Sequence, residues 1–290
     1  MMEEKIIEVK GLSKIYKDFK LQDISFSLDK GYIMGLIGRN GAGKTTLMNC
    51  ILGKLSYENG SIQIDGKEEQ FHRNMAKEDL GFIVEPGPFF QNDSLYRNGK
   101  LLGAFYENWD EEYFHQLLVE FELNSSKKYM DLSKGMKTKF QLAFALAHRP
   151  KLLILDEPTG GLDPVFRREF LSMIQGEVRD SLMSVIISTH LTTDLDKVAD
   201  YIMMLDNGRQ LFYMDKEEML DEYCLISGNV EMLETLDKKA CGRIKTKGSS
   251  FTTILKRSEY LKEHNGIPKE IHVERATIED IMYYLSERAI

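Results

Sequence analysis

Apolar and polar positions along this chain follow two patterns that alternate. Short apolar or alternating segments, typical of β-strands, are followed by longer segments with the spacing of amphipathic helices. The strand-like segments are residues 6–9, 24–28, 33–37, 61–64, 81–84, 152–155, 184–188 and 201–205. Helical patterns begin at 44, fill much of 92–123, extend from 133 to 148 and begin again at 164. This alternation predicts an α/β fold with a mostly parallel sheet and helices on both of its faces.

The pattern changes after about residue 223. Short strand-like segments at 243–246, 251–255 and 270–273 alternate with helical segments around 230–236 and 277–285. We therefore predict two parts: a large domain over residues 1–223 and a small α+β appendage over residues 224–290. The appendage is long enough to hold a core of its own. It carries no motif that indicates chemistry.

Composition narrows the class of protein. The 290 residues are 42% apolar and 29% charged, as in a soluble globular protein. Uncharged apolar runs are far shorter than a membrane span, and the acidic N-terminal residues lack the pattern of a signal peptide, so we expect a cytoplasmic location. A formal net charge of −8 argues against a nucleic-acid surface. The three cysteines lack the spacing of a metal site and are interpreted as reduced thiols.

The strongest chemical signal lies between the strand-like segment 33–37 and the helix that begins at 44. It consists of Gly38, Arg39, Asn40, Gly41, Ala42, Gly43, Lys44 and Thr45, with Thr46 as the next residue of the helix. Between a strand and a helix, this G-x-x-x-x-G-K-T run predicts a phosphate-binding loop. Glycines let backbone N–H groups turn towards phosphate oxygens, and the helix directs its positive end to the same point. Lys44 adds a charge for the β- and γ-phosphates, and the Thr45 hydroxyl can ligate Mg²⁺.

A second signal is the pair Asp156-Glu157, which follows the apolar segment 152–155. A buried parallel strand that ends in carboxylates places them at the sheet edge where α/β proteins bind ligands. We predict that Asp156 faces Mg²⁺ through water and that Glu157 is the general base for a water in line with the γ-phosphate. An exposed acidic turn is the alternative, and the neighbouring phosphate loop argues against it.

Further motifs occur in a specific order around these two signals. They are Tyr16 before the phosphate loop, Leu132-Ser133-Lys134-Gly135-Met136 shortly before Asp156, Gly161-Leu162-Asp163 after it, and His190 after a strand. The ordered set resembles the nucleotide-binding subunits of ATP-binding cassette (ABC) transporters over about residues 6–223. The resemblance implies a P-loop NTPase core of the ABC ATPase type, with a mostly parallel sheet, an antiparallel β part and a helical subdomain at about 87–149.

The resemblance also assigns roles to these residues. Tyr16 is expected to stack on adenine, and His190 to sense the γ-phosphate. The signature residues Ser133, Lys134 and Gly135 are expected to contact the γ-phosphate that the opposite subunit binds, together with Asp163 of the D-loop. Local chemistry leaves alternatives open, because Ser133 and Asp163 can be helix N-caps, Tyr16 a half-buried packing residue and His190 a structural or solvated one.

The chain departs from the family pattern in three places. Lys134 and Met136 replace the second glycine and the glutamine of the usual LSGGQ signature, and Glu85 replaces the expected glutamine of the Q-loop. Lys134 adds a positive charge near a polyphosphate, which predicts tighter and more salt-sensitive ATP binding. Glu85 is a candidate metal ligand, a candidate second base or a bystander. These departures resemble a branch of ATPases that serve bacterial exporters of bacitracin-like or phenol-soluble-modulin-like peptides.

The resemblance therefore implies an ATP- and Mg²⁺-dependent ATPase that works as an ATP-bridged dimer, identical or mixed, beside a membrane permease. It places the chain on the inner face of the cell membrane through that partner. The candidate permease contacts are Phe89, Phe90, Leu95, Tyr96 and Trp109. The alternative is that these residues are core of the helical subdomain, and for Trp109 the two interpretations are equally consistent.

The alternatives to a transporter ATPase are of three kinds. The 89 residues between Lys44 and Ser133 contain no heptads, which argues against a chromosome-maintenance ATPase. A single acidic cassette argues against a ribosome-acting one. A subunit that clasps ATP with little hydrolysis is the third alternative, which the altered signature and Glu85 keep open.

Overall fold

The computed structural model of the protein describes residues 4–68, 78–84, 86–234 and 236–286. Its strands are β1 (Lys5–Ile15), β2 (Lys20–Asp29), β3 (Ile33–Ile37), β4 (Asn59–Ile64), β5 (Lys67–Glu68), β6 (Leu80–Ile83), β7 (Leu152–Asp156), β8 (Ser184–Ser188), β9 (Tyr201–Asp206), β10 (Arg209–Asp215), β11 (Tyr223–Asn229), β12 (Lys245–Lys247), β13 (Ser250–Lys256) and β14 (His272–Arg275). Its helices are α1 (Lys44–Ile51), α2 (Leu95–Gly103), α3 (Glu111–Glu120), α4 (Lys134–Ala147), α5 (Pro164–Ser181), α6 (Thr192–Val198), α7 (Lys216–Glu222), α8 (Arg257–Tyr260) and α9 (Ile278–Leu285). Within these described ranges, no helix has the length and apolar character needed to cross a membrane.

Most strands belong to one large sheet in the order β5-β4-β1-β2-β10-β9-β3-β8-β7-β6. Strands β9, β3, β8, β7 and β6 are parallel to one another. Strand β1 pairs antiparallel with both β2 and β4, and β10 pairs antiparallel with β9. The predicted α/β class, with a parallel part and an antiparallel part, is confirmed.

Strand β3 lies inside the sheet, between β9 and β8, and every one of its residues is buried. Ile33 and Ile37 belong to one hydrophobic cluster, which lies against α3, α4, α5 and α6. Met34 and Leu36 belong to the other, which holds the residues of β1, β2 and α1. Side chains that alternate between two apolar clusters are what a strand with helices or sheet on both faces requires. The strand therefore holds its carboxyl end, where the phosphate loop begins, in a fixed position.

The C-terminal residues form a second, four-stranded sheet in the order β12-β13-β11-β14. Its apolar side contains Ile226, Phe251 and Leu255, which form a small cluster of their own. Other residues of this part, such as Tyr223 and Ile278, lie in the large cluster shared with the first part. The division that we propose at residue 223 therefore passes through a shared core.

Some predicted elements in the C-terminal part are displaced or replaced. The helix predicted around 230–236 is a 3₁₀ turn at Val230–Glu234 that buries no side chain. The strands predicted at 243–246 and 270–273 begin two residues later, at Lys245 and His272. Alternation is weak in these short, exposed strands, so their pairing with β13 and β11 decides where they begin.

The predicted permease contacts divide between the core and the surface. Phe89 and Leu95 are buried at 7% and 0% exposure, which favours the alternative that both are core of the helical subdomain. Trp109 packs against Phe114 and Phe144 with ring centroids 5.0 and 4.9 Å apart, which favours the core position. Phe90 and Tyr96 are exposed. Aromatic content alone does not show which residues of a helical segment face the core. The rings that are buried here are the ones that pack against α4.

An ion-pair network joins four turns at the edge of the sheet where β3 and β7 begin. The Asp65 carboxylate lies 2.8 Å from Lys30 Nζ and 2.6 Å from Lys151 Nζ, and Lys151 also lies 3.3 Å from Asp79. Hydrogen bonds from Lys151 and Lys30 lower the pKa of Asp65 to about 2. A carboxylate with a lowered pKa stabilises the fold above its unfolded-state pKa, and this contribution is lost as the pH falls through the folded-state value.

We expect Asp65→Asn to lower the free energy of unfolding at pH 7 by about 1 kcal/mol, a Tm decrease of about 2–4 °C in a chain of this size. The difference between variant and parent should shrink as the pH falls from about 4 to about 2. Thermal unfolding followed by circular dichroism at several pH values measures it. Asp180→Asn removes a carboxylate whose side chain is 75% exposed and serves as the control. An equal loss of Tm at pH 7 and pH 3 would contradict the ionic origin.

Candidate functional site

The carboxyl ends of three neighbouring parallel strands meet at one edge of the large sheet. Strand β3 leads into the predicted phosphate loop, β7 ends at Asp156, and β8 ends at Ser188, two residues before His190. The register pairs Asp156 directly with Ser188. The fold therefore brings the phosphate loop, the two predicted carboxylates and the predicted switch histidine to the place where α/β sheets bind ligands.

The loop backbone needs glycine at its first position. At Gly38, φ is 150°, and an added Cβ atom would lie 2.3 Å from the carbonyl oxygen of Leu205. Gly41 has φ of 83° at the open side of the loop, where its neighbours Arg39 and Asn40 are also exposed. Ala42, by contrast, is buried. These conformations hold the loop as a curled segment in front of α1, as the motif predicts.

Lys44 occupies the centre of this loop at 7% exposure. Its Nζ donates hydrogen bonds to the carbonyl oxygens of Gly38 at 2.7 Å and Arg39 at 3.3 Å. Burial lowers the pKa of the Lys44 ammonium, and the carboxylates of Glu157 and Asp156 oppose that shift. A cation enclosed by a curled backbone and facing two carboxylates is well placed to receive an anionic ligand.

Thr45 and Asp156 are in direct contact. The Thr45 hydroxyl donates a hydrogen bond to Asp156 Oδ2 at 2.9 Å, and the Ser188 hydroxyl donates one to Oδ1 at 2.5 Å. Thr46, the next residue of α1, is half-buried. Thr45 and Asp156 were predicted as metal ligands, whereas Ser188 was not predicted, because its only signal is its place opposite Asp156 in the strand register. The three residues form a cluster of oxygen atoms at the mouth of the loop.

Asp156 is the last residue of β7, and Glu157, the next residue, does not continue the strand. Its φ is 49°, a left-handed conformation that is uncommon for a residue other than glycine and that recurs at functional sites. Its backbone N–H donates to Ser188, at 3.1 Å to the carbonyl oxygen and 3.2 Å to Oγ. Glu157 was predicted to lie on the strand beside Asp156. The structure corrects this prediction, because the left-handed backbone at Glu157, and not a strand, sets the direction of its side chain.

The carboxylate of Glu157 contacts His190. Oε2 lies 2.5 Å from His190 Nδ1 and accepts the His190 backbone N–H at 3.3 Å. The side chains of Glu157 and His190 are 32% and 57% exposed, so water and ligands can reach both. The two residues predicted to act on the γ-phosphate therefore form one pair in this structure.

The predicted signature lies at the start of α4. Ser133 is the N-cap and accepts the backbone N–H of Met136 at 3.3 Å. The side chain of Lys134 packs against Gly161, where an added Cβ atom would lie 3.3 Å from Lys134 Cδ. Gly135 lies near the carbonyl oxygen of Gly161. The signature and the Gly161–Asp163 segment of one chain thus form a continuous surface.

Asp163 and Tyr16 have local partners as well. Asp163 is the N-cap of α5, and its Oδ1 accepts the backbone N–H groups of Val165 and Phe166 at 3.0 Å each. Tyr16 is 41% exposed, with its ring centroid 6.3 Å from that of Phe19 and Lys14 Nζ 5.5 Å above it. Glu85 lies outside the described residues.

Comparisons with known proteins agree with this geometry. The family model described as "ABC transporter" matches residues 21–160. The ABC transporter ATP-binding protein YtrB of Bacillus subtilis (strain 168) is 33% identical over 222 residues, which make up 76% of this chain and 76% of YtrB. The bacitracin transport ATP-binding protein BcrA of Bacillus licheniformis is 33% identical over 213 residues, 71% of this chain and 68% of BcrA. A solved structure of the ATP-binding subunit of an ABC transporter has a TM-score of 0.69 and 28% identity, covering 74% of this chain and 92% of that chain.

The region that the family model matches, residues 21–160, carries the phosphate loop, the carboxylates and the signature. Members of this family bind ATP and work with membrane permease subunits. The chain therefore belongs to the ABC transporter family, as an ATP-binding subunit with ATPase activity.

Proposed function

We propose that the chain hydrolyses ATP between two subunits, with Glu157 as general base and His190 as its partner at the γ-phosphate. The observation that carries the proposal is the 2.5 Å contact between His190 Nδ1 and Glu157 Oε2, beside the pair formed by Thr45 and Asp156. A base must be held within hydrogen-bond reach of the water that it activates, and a second group must fix its orientation. His190 and the backbone contacts to Ser188 provide that orientation.

The proposed phosphate contacts come from the loop and α1. The backbone of residues 38–43 would supply N–H groups, and Lys44 would exchange its bonds to the Gly38 and Arg39 carbonyls for bonds to phosphate oxygens. Thr46 adds a hydroxyl at the N-terminus of the helix. Tyr16 is the residue proposed to stack on adenine, because much of its ring is exposed beside Phe19.

The residues present also fit a magnesium ion. Hydroxyl and carboxylate oxygens are the donors that Mg²⁺ prefers, and Thr45 and Asp156 present one of each within 2.9 Å of one another. When bound, Mg²⁺ would neutralise charge on the phosphates. Ser188 would keep Asp156 oriented through its 2.5 Å hydrogen bond. Glu85 stays a proposed further ligand that no described contact tests.

A second subunit is needed to enclose the nucleotide. Arg39, Asn40 and Gly41 of the loop are exposed, and so are Ser133 and Lys134 at the start of α4. Both surfaces carry phosphate-binding groups, and a nucleotide bound to only one of them would leave part of its charge facing water. We propose that the signature of one chain covers the phosphates held by the other, with Asp163 beside it. ATP then stabilises the dimer because it contacts both chains.

A groove next to α2 is the proposed docking site for the permease. It has a volume of about 610 Å³ and is lined mainly by apolar side chains, among them Phe82, Leu102 and Phe105. Phe105 is 81% exposed, and exposed apolar surface of this kind is typical of a site that binds another protein. Lys54 lies 4.5 Å above the ring of Phe82 and adds a cation to the groove. Phe90 and Tyr96 stay candidate contacts at the surface of the same subdomain.

The proposed cargo is a peptide antimicrobial, exported from the cell. BcrA, named for bacitracin transport, supports this choice, and so does the variant signature with Lys134. Because ATP is an intracellular nucleotide, the proposed location of the chain is the cytoplasmic face of the membrane. Identical subunits are proposed because a single chain carries both the phosphate loop and the signature.

ATP hydrolysis measured against protein concentration tests the proposal. We expect the rate per chain of the purified protein to rise with concentration, since each site needs two copies, and to require Mg²⁺. Phosphate release at saturating ATP measures it, and sedimentation with ATP or ADP follows the dimer. A rate per chain that is flat and near zero would mean that the chain needs a different cassette or its permease, or that it clasps ATP without hydrolysing it.

A further inference from the structure

Asp194 is a buried carboxylate near the site to which no role has been given. It is 1% exposed and lies on α6, four residues after His190. Both of its oxygens accept from Arg167 Nε, at 2.7 and 2.9 Å, and Arg167 Nη2 lies 2.7 Å from Oδ1. The hydroxyl of Thr159 donates a further hydrogen bond to Oδ2 at 2.9 Å. A charge is buried in this way only where several donors satisfy it.

The partners of Asp194 come from two segments that carry site residues. Thr159 belongs to the turn between Glu157 and Asp163, and this turn is closed by a hydrogen bond from Gly160 N to the Glu157 carbonyl oxygen at 3.2 Å. Arg167 lies one turn into α5, and its backbone N–H donates to the carbonyl oxygen of Asp163 at 2.9 Å. Asp194 thus joins the turn after the general base, the helix capped by Asp163 and the helix after the switch histidine.

Helix α6 also packs against the C-terminal part of the chain. Leu195 and Val198 of α6 belong to the same hydrophobic cluster as Ile278 and Ile281 of α9, and the two helices pack together. Helix α6 is only seven residues long, from Thr192 to Val198, so it cannot hold its position by its own hydrogen bonds. Its position is set by the polar network of Asp194 together with the packing against α9.

We infer that Asp194 is a positioning residue for ATP hydrolysis, acting through the contact between Glu157 and His190. Glu157 has a left-handed backbone and His190 lies in a loop, so neither is held by regular secondary structure. Asp194 fixes the distance between the two segments that carry them. Loss of its charge lets the two segments separate, and a shift of about 1 Å at a reacting group can cost about 100-fold in rate. This inference rests on the proposed roles of Glu157 and His190.

The test compares Asp194→Asn, Thr159→Val and His190→Ala in the full chain. We expect Asp194→Asn to lower kcat by about 10-fold or more while the KM for ATP changes less than about twofold, because the phosphate loop is untouched. Thr159→Val removes only the hydroxyl and should cause a smaller loss in the same direction. Asp196→Asn changes the same charge at an exposed position of the same helix and is the matched control. The fluorescence of the single tryptophan, Trp109, checks that each variant is folded.

A double variant separates positioning from general stabilisation. If Asp194 acts through His190, Asp194→Asn should add less than about threefold to the loss caused by His190→Ala. Losses that multiply, or Asp194→Asn turnover equal to the parent while His190→Ala is impaired, would overturn this inference and leave the proposed function intact. Parent-like turnover in His190→Ala would remove the role of His190 from the proposed function, and this inference with it.

Discussion

Glu157→Gln should stop ATP hydrolysis and leave ATP binding intact. Glutamine has the shape of glutamate and can still accept the His190 backbone N–H, which lies 3.3 Å from Oε2 in the parent. Its amide cannot take a proton from water, so we expect turnover to fall by a factor of about 100 or more, the contribution typical of a general base. Phosphate release at saturating ATP measures the loss, and binding of a fluorescent ATP analogue shows that the loop is intact.

The same variant should accumulate as a dimer in the presence of ATP. A subunit pair that binds ATP but does not consume it stays closed, since the ligand that joins the two chains is not removed. Sedimentation with ATP and with ADP distinguishes this state from simple inactivation. Glu263→Gln, an exposed carboxylate in the C-terminal part, is the control. If Glu157→Gln kept more than about a tenth of the parent turnover, the role of base would pass to another group, with Glu85 as the first to test.

Lys44→Met should weaken ATP binding itself and not turnover alone. Lys44 is 7% exposed, and its ammonium is held by two carbonyl oxygens of its own loop, so it is already in place for a phosphate. Charge-assisted hydrogen bonds are worth about 1.5–3 kcal/mol each, which predicts at least about a 10- to 100-fold weaker affinity for ATP. Methionine fills a similar volume without a charge, so the fold is expected to be retained. Equilibrium binding measures the effect without any need for hydrolysis.

The control for Lys44→Met is Lys238→Met, which removes the same charge from an exposed position in the C-terminal part. Its ATP affinity should equal that of the parent. An unchanged affinity in Lys44→Met would show that the glycine-rich backbone and α1 bind the phosphates alone. Lys44 would then act only in the transition state, and its loss would appear in kcat instead of in the dissociation constant.

Much of the large sheet could be predicted because buried parallel strands are nearly continuous apolar runs. Residues 33–37 and 184–188 are strands with the predicted bounds, and every residue of both is buried. The missed strand β10 follows Asn207-Gly208, a pair typical of tight hairpin turns that could have revealed it. Strand β11 was missed because it follows α7 directly, with no turn between the two elements. Local pattern is a weaker guide there than pairing with β13.

The site residues were predictable as types and less so as geometry. The motifs named Asp156, Glu157 and His190, but not the left-handed backbone at Glu157, because residues other than glycine rarely adopt it. The contact between Glu157 and His190 joins residues 33 positions apart and depends on the register of β7 with β8. Asp194 was missed for the same reason, since an acidic residue on a short helix has no local signal of burial.

The shared core between α6 and α9 has a consequence for protein engineering. Exchanging the C-terminal part for that of another ATPase would replace Ile278 and Ile281 and so change the surface on which Leu195 and Val198 pack. A chimaera joined near residue 223 would therefore need a new C-terminal helix that packs against α6. Without that packing, the segment that carries His190 would be held less firmly. In this chain the tail cannot be treated as an interchangeable module, because its last helix is part of the wall behind the nucleotide site.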